Sequence, residues 1–174
     1  MLKLNCQPLQ GLRGGNREAT DGKFHAKLAT PFAVLGVRTS GERLTDIKYL
    51  PRSATTLSPL DALAAETCRQ IQRYLDDPDY RFDLPLAAAG TPFQRRVWEA
   101  IAAIPRGSTL TYRDIARRVA SAPRAVGGAC GANRLPLVIP CHRVVATGGI
   151  GGFMRTRGGA PLEIKRWLLR HEGI

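Results

Sequence analysis

The residues best suited to do chemistry lie in Leu135–Val145, which reads LPLVIPCHRVV. An apolar run meets Pro140. Cys141, His142 and Arg143 follow, and the chain turns apolar again at Val144 and Val145. A thiol, an imidazole and a guanidinium thus sit side by side in an oily segment. Pro140 fixes its own φ and pushes Ile139 toward extended backbone, so the thiol is presented at a stiff point of the chain. A thiol with the ordinary pKa of about 8.5 is mostly protonated near neutral pH, yet the thiolate is the nucleophile. His142 titrates near working pH and is the nearest candidate base. The tripeptide alone leaves two readings open, a nucleophile or an inert core thiol, because free Cys is among the most buried residue types.

The elements that must position this segment can be read on both sides of it. The chain of 174 residues is long enough for one domain, or two small ones, with a real core. Its apolar fraction is that of a globular protein, no apolar run approaches a membrane span, and the N-terminus lacks the core of a signal peptide. A cytoplasmic protein with no membrane partner is expected. The four cysteines, Cys6, Cys68, Cys130 and Cys141, form no CxxC pair and should be free thiols in a reducing compartment. Cys6 and His25 could contribute to a zinc site, but no spaced set of four ligands is visible, so neither metal nor cofactor is expected.

The net charge of +12 is unevenly placed. Residues 1–90 carry 12 basic and 10 acidic side chains; residues 91–174 carry 14 and 4, and 13 of those 14 are Arg. Arg offers a fork of donors suited to phosphate, so the second half is a candidate polyanion-binding half, with nucleic acid the first reading and a merely solubilising surface the alternative. Residues 1–22 read as loose. Phe24–Ala29, Phe32–Arg38 and Leu44–Leu50 read as strands, the last two joined by a hairpin at Thr39–Glu42. Asp46 is a lone carboxylate expected at the surface. Ser58-Pro59-Leu60-Asp61 starts a helix with Ser58 as cap, and Cys68 lies on its apolar stripe. Asp83–Gly90 reads as a linker beside the charge shift. This divides the chain into a small α/β part, residues 1–85, and a mostly helical part, residues 86–174.

Thr91 and Gln94 form a capping box ahead of a helix whose face is Phe93, Val97, Ile101 and Ile104, with Trp98 beside it. Thr111 caps a short helix over Tyr112–Val119, and Ser121-Ala122-Pro123 starts a second one reaching about Ala132. Two short helices joined by a tight turn in a basic setting outline a helix-turn-helix. The second helix contains Gly127, Gly128 and Gly131, each costing about 1 kcal/mol in a helix interior. Small residues suit close approach to another surface, either a nucleic-acid backbone or a neighbouring helix. Arg124 is its one long probe. A glycine-rich loop, Gly148–Phe153, and a last helix over Pro161–His171 follow. Glu172 sits just past that helix, able to fold back onto the core.

Asn133, Ile139-Pro140-Cys141-His142-Arg143-Val144-Val145, the upstream Arg124-Ala125-Val126-Gly127-Gly128-Ala129, and the ending Leu168-Leu169-Arg170-His171-Glu172-Gly173 together resemble the O6-alkylguanine-DNA alkyltransferases. These are also called methylated-DNA–protein-cysteine methyltransferases. The match runs from about Thr91 to Gly173. The resemblance implies a fold of the α/β class: a small ribonuclease-H-like N-terminal domain with no known share in the chemistry, then a domain with a winged-helix-like helix-turn-helix. It implies that Cys141 takes the alkyl group of O6-alkylguanine, with O4-alkylthymine a further candidate, irreversibly and once per molecule. His142 would act as base through a water, Glu172 would orient it, and Asn133 would hold the turn before the active-site loop. Pro140, Val144 and Phe153 would line the pocket. Arg124 would replace the flipped nucleotide in the stack, Tyr112 would press on its phosphate, and Ala125, Gly127, Gly128 and Gly131 would lie in the minor groove of duplex DNA. The protein would act as a monomer.

Three departures from the family pattern stand out. Phe153 replaces the usual Tyr, removing a hydroxyl. The stretch Met154–Pro161 is several residues longer than is common. Arg134 replaces a usual Pro, with little effect expected. Two rival readings remain. A helix-turn-helix regulator would leave Cys141 and His142 without a task. A thiol hydrolase or redox enzyme would need direct Cys–His contact, which adjacent residues of a strand would not make.

Overall fold

The computed structural model describes residues 23–174 apart from 88 and 157. The expectations for residues 1–22, Cys6 among them, lie outside the described residues. Three antiparallel strands come first, β1 (Ala26–Ala29), β2 (Val34–Ser40) and β3 (Arg43–Leu50), in the order β1-β2-β3. The turn at Gly41, with φ +55, closes the β2–β3 hairpin, a left-handed position that glycine adopts without penalty. Helix α1 (Ala62–Asp76) packs its buried Ala64, Ile71 and Tyr74 against the sheet.

Two details differ from the sequence reading. The cap of α1 is Asp61, not Ser58: Asp61 Oδ1 accepts from the Ala64 N–H at 2.7 Å, and Oδ2 accepts from the Thr39 hydroxyl at 2.6 Å. Both residues are capping types. The choice falls to Asp61 because residues 57–60 are held extended along β1, by Lys27 pairing with Leu57 and by the Leu60 N–H on the His25 carbonyl. Asp46 is not a surface carboxylate. It is 2% exposed and is paired with Arg38 at 2.8 Å and Arg134 at 3.4 Å. The first of these is its cross-strand neighbour and the second lies 88 residues away.

The stretch expected to be a linker is tied down by the Leu44 and Ala87 amides and by Gln70, whose side chain bonds both polar groups of the Asp83 backbone. Helix α2 (Pro92–Ala102) then starts with both bonds of the Thr91–Gln94 capping box. A two-residue strand, β4 (Leu110–Thr111), leads into α3 (Tyr112–Arg118), capped by Thr111 with Asp114 reciprocating. Helix α4 (Pro123–Gly131) follows after four residues. Buried Trp98 of α2 donates to the Ala129 carbonyl of α4 at 2.9 Å, which fixes the height of α4 against α2. Strand β5 (Val144–Val145) pairs in parallel with β4, and α5 (Ala160–His171) closes the chain. One apolar cluster runs from the sheet through all five helices, so the thiol segment is packed from both halves of the chain. The described residues form a mixed α/β fold with five α-helices and small sheets.

Candidate active site

The loop that carries the thiol is closed by one side chain. Asn133 Nδ2 donates to the Ile139 carbonyl at 2.9 Å, and its Oδ1 accepts from the Leu135 N–H at 2.9 Å. Within that loop Leu137 holds a left-handed φ of +72, a conformation that costs an L side chain about 1 kcal/mol or more. The Cys141 N–H donates to Ile139, and Cys141–Arg143 form one turn of 3-10 helix, with the strand beginning only at Val144. The sequence argument that a strand separates Cys141 from His142 is therefore corrected. Pro140 lacks an N–H and its ψ is 64, so the backbone curls before it can extend. Val144 pairs with Leu110 immediately before α3, which ties the exit of the thiol loop to the start of the two short helices.

Cys141 is 8% exposed and His142 is 1% exposed. Burial pushes the thiol above its usual value; a hydrogen bond from Asn133 and the positive charge of Lys165 pull the other way. The resting sulfur is therefore a protonated thiol beside groups that favour the thiolate, and it needs a base to react. His142 turns Nε2 to Glu172 Oε1 at 2.8 Å. Its Nδ1 is buried and has no hydrogen-bond partner among the described residues. Burial lowers the imidazole's pKa, and Glu172 opposes that shift. Burial would raise the Glu172 carboxyl, but bonds from His142 and Arg143 and their charges win and hold it down to about 2. An ionised Glu172 accepts from Nε2–H, which leaves the Nδ1 lone pair as the basic site.

The position of Glu172 follows from the end of α5. Gly173 takes a φ of +85, its N–H reaches Arg170, and the Ile174 N–H reaches Leu169 at 2.9 Å. This is the paired-bond helix stop that glycine favours, and it turns Glu172 inward to 1% exposure. Arg143 clamps the carboxylate through Nε at 2.7 Å and Nη2 at 2.9 Å, and anchors Nη1 on the Ile104 carbonyl. The Tyr74 hydroxyl of α1 donates to Oε1 at 2.8 Å.

Sequence reading gave Arg143, Tyr74 and Lys165 no role in the site. Lys165 is fully buried and donates to the carbonyls of Val144, Ile150 and Gly152 at 2.6, 2.7 and 3.1 Å. Burial lowers its pKa to about 8, against the pull of Cys141 and Cys130. A signal was available: Lys165 stands three residues after Leu162 and three before Leu168, on the apolar stripe of α5. Tyr112 donates to the same Gly152 carbonyl at 3.1 Å. Phe153 is 5% exposed, with its ring 5.9 Å from that of Tyr49, whose buried hydroxyl has no hydrogen-bond partner among the described residues.

The lengthened segment begins as a tight hairpin. Phe153 and Thr156 exchange both backbone hydrogen bonds, and the two residues between them, Met154 and Arg155, have φ of +50 and +63. Positive φ at both central positions is the geometry that matches strand twist, and it is normally filled by Asn or Gly. The turn sends Arg155 onto the end of α4, where its Nε donates to the Gly131 carbonyl at 3.0 Å. A side chain at Gly131 would meet Arg155, whereas Gly127 and Gly128 face open space. The small residues of α4 thus have two reasons, one internal and one on the outer face. Arg124 and Ala125 stand exposed on the first turn of α4, which starts without a side-chain cap. Arg134 ties the hinge to the sheet: its carbonyl accepts from the Ile47 N–H at 2.8 Å and its guanidinium reaches Asp46. Among the described residues no group of three or more His, Cys, Asp or Glu could hold a metal, and no helix is long and apolar enough to cross a membrane.

Comparison with known proteins agrees with this arrangement. Residues 92–174 match the family described as 6-O-methylguanine DNA methyltransferase, DNA binding domain. The chain is similar to a methylated-DNA–protein-cysteine methyltransferase of Methanothermobacter thermautotrophicus, 44% identical over 163 residues, covering 90% of this chain and 89% of that one. It is also similar to the constitutive enzyme of Bacillus subtilis, 44% identical over 112 residues, 63% of this chain and 66% of that one. The crystal structure of Mycobacterium tuberculosis O6-methylguanine methyltransferase superposes with a TM-score of 0.72 at 31% identity, over 86% of this chain and 93% of that one. The Mycobacterium tuberculosis protein in complex with DNA superposes at 0.70 with 33% identity, over 84% and 90%. The motifs around Cys141 and this similarity over nearly the whole length agree, and the chain belongs to the methylated-DNA–protein-cysteine methyltransferase family.

Proposed function

We propose that this chain repairs alkylated duplex DNA by taking the alkyl group of O6-alkylguanine onto Sγ of Cys141. The observation that carries the assignment is the buried Cys141 thiol next to a neutral His142 whose other nitrogen is held by an ionised Glu172. The thiol proton passes through a water to Nδ1 of His142, and Glu172 stabilises the imidazolium. The thiolate attacks the alkyl carbon, the S–C bond forms and the C–O6 bond breaks. The bonding electrons stay on the base, and the proton lost by the thiol is the one guanine gains. The step balances without an oxidant or cofactor. A thioether is not cleaved under ordinary conditions, so each molecule acts once. O4-alkylthymine presents the same alkyl–oxygen bond.

The target atom is inside the duplex, and extrusion of the base costs a few kcal/mol. Exposed Arg124 offsets part of that by filling the gap. Gly127 and Gly128, open on the outer face, let α4 lie close in the minor groove with Ala125, and its uncapped first turn suits a phosphate. Tyr112 bears on the rotating phosphate. Pro140, Val144 and Phe153 line the pocket, and Asn133 sets the loop that holds them. In this reading α3 and α4 are a helix-turn-helix of winged-helix type. Residues 1–85 are a ribonuclease-H-like domain, and residues 86–174 carry DNA binding and transfer. The arginines of the second half permit sequence-independent search. The test is incubation with duplex carrying labelled O6-methylguanine. Label moves to the native protein and not to Cys141→Ser. Transfer to the Ser variant overturns the assignment.

A further inference from the structure

We propose that Tyr74 of α1 is a positioning residue of the transfer reaction, which holds Glu172 and limits how strongly that carboxylate draws a proton onto His142. The inference rests on the reading of His142 as the base. It goes beyond it by giving the N-terminal part of the chain, otherwise without a share in the chemistry, a place in the proton relay.

The argument begins with the number of donors on one oxygen. Glu172 Oε1 faces Tyr74 OH at 2.8 Å, His142 Nε2 at 2.8 Å and Arg143 Nη2 at 2.9 Å, while Oε2 faces Arg143 Nε at 2.7 Å. A carboxylate oxygen offers about two lone-pair directions, so three donors share two sites. The phenol therefore competes with Nε2–H for the same charge. A hydrogen bond to a charged group is stronger than one between neutral groups, so the competition is not trivial.

Tyr74 is built to keep this contact. It is 2% exposed, with its ring 5.6 Å from Phe82 and edge-on to His171 at 5.2 Å. Its backbone carbonyl pairs with His171 Nε2 at 2.8 Å. Helix α1 thus grips two successive residues, His171 and Glu172, across 97 and 98 positions of sequence. Burial, and then the adjacent Glu172, push the phenol well above its ordinary value, so it is a donor throughout the working range. The other charged groups around the relay are Arg143, which acts on both His142 and Tyr74, Lys165 of α5, which acts on His142, and Arg106 after α2, which acts on Tyr74. All three are cations. Tyr74 is the neutral donor in that set.

Removing the hydroxyl leaves more of the carboxylate's charge for Nε2–H, so His142 becomes more basic. Transfer requires neutral His142, and the acid limb of the rate–pH profile must then move upward. The experiment compares single-turnover transfer rates of native protein, Tyr74→Phe and a protein with 3-fluorotyrosine at position 74. The more acidic fluorophenol donates more strongly. The expected midpoint rises by about half a pH unit for Tyr74→Phe, which is about threefold in rate on the acid limb. It falls for the fluorinated protein. Midpoints unchanged in both, with only the plateau or the melting temperature altered, overturn the proposal, because a merely structural tyrosine moves those and not the midpoint. Should Tyr74→Phe fail to fold, the fluorinated protein decides the matter alone. Nitrogen-15 shifts of His142 titrated in the same proteins read its basicity without any transfer. Absence of label transfer by native protein would sink the functional reading, whereas an unmoved His142 titration sinks this one.

Discussion

Glu172→Gln perturbs the centre of the relay, and its effect can be worked from the geometry. The native carboxylate is 1% exposed and is held at a pKa of about 2, against 4.5 for a free glutamate. A group whose folded pKa is depressed contributes stability that is present above the unfolded pKa and is lost as pH falls toward the folded one. The shift corresponds to about 3 kcal/mol, lost between roughly pH 5 and pH 2. The amide of Gln keeps one acceptor but presents an NH2 to Arg143 or His142, setting donor against donor. It also strands the Arg143 charge, which in a buried setting costs about 3 kcal/mol or more. Denaturant unfolding followed by circular dichroism from pH 7 to pH 2.5 measures both effects. The variant should be less stable at pH 7 by about 3 kcal/mol, and its acid slope should be shallower than that of the native protein. Transfer should slow by a factor of about a hundred or more, because His142 loses the acceptor that fixes its tautomer. Equal acid slopes in the two proteins would refute the ionised state of Glu172. An unchanged transfer rate would refute its orienting role.

Three further outcomes follow from neighbouring features. Lys165→Met takes the ammonium from the Val144 and Ile150 carbonyls and leaves Gly152 with Tyr112 as its donor; thermal unfolding should show a loss of about 3 kcal/mol or more, and a neutral result would show that water replaces the ammonium. Gly128→Ala places a methyl in open space within a helix. It should stabilise the fold by about 0.5–1 kcal/mol while weakening binding to duplex DNA, and unchanged DNA affinity would remove the outer face of α4 from the interface. Arg124→Ala should reduce fluorescence-detected extrusion of a base more than it reduces overall DNA affinity; an equal fall in both would make Arg124 an ordinary phosphate contact.

Local chemistry was legible in the sequence wherever a partner lay within a few residues. The Thr91–Gln94 capping box, the Thr111 cap and the β2–β3 hairpin have their determinants within one turn or one loop. Cys141 and His142 were legible as types and spacing, Asn133 and Glu172 through the family resemblance, and the structure brings the four together. What was hidden was set by partners distant in sequence. Asp46 is buried between its cross-strand partner Arg38 and Arg134, which lies 88 positions away, and no periodicity in β3 announces that. Tyr74 read as one more residue of α1, since its hydroxyl partner is 98 positions away. The sequence placed the cap at Ser58, whereas pairing of residues 57–60 with the sheet moves the helix start to Asp61. The curl at Cys141 was masked by flanking valines that favour extended backbone, while Pro140 and the Asn133 bonds impose the turn. Lys165 was legible in principle, as a lysine on an apolar stripe.

The central claim is that Cys141 is consumed by the reaction. Intact-protein mass spectrometry after incubation with excess O6-methylguanine duplex tests it most directly, followed by mapping of the modified peptide. One added methylene unit per molecule, on the peptide that contains Cys141, with guanine released in equal amount and no further turnover, is the predicted result. Methyl on another residue, or more guanine formed than protein present, would contradict it.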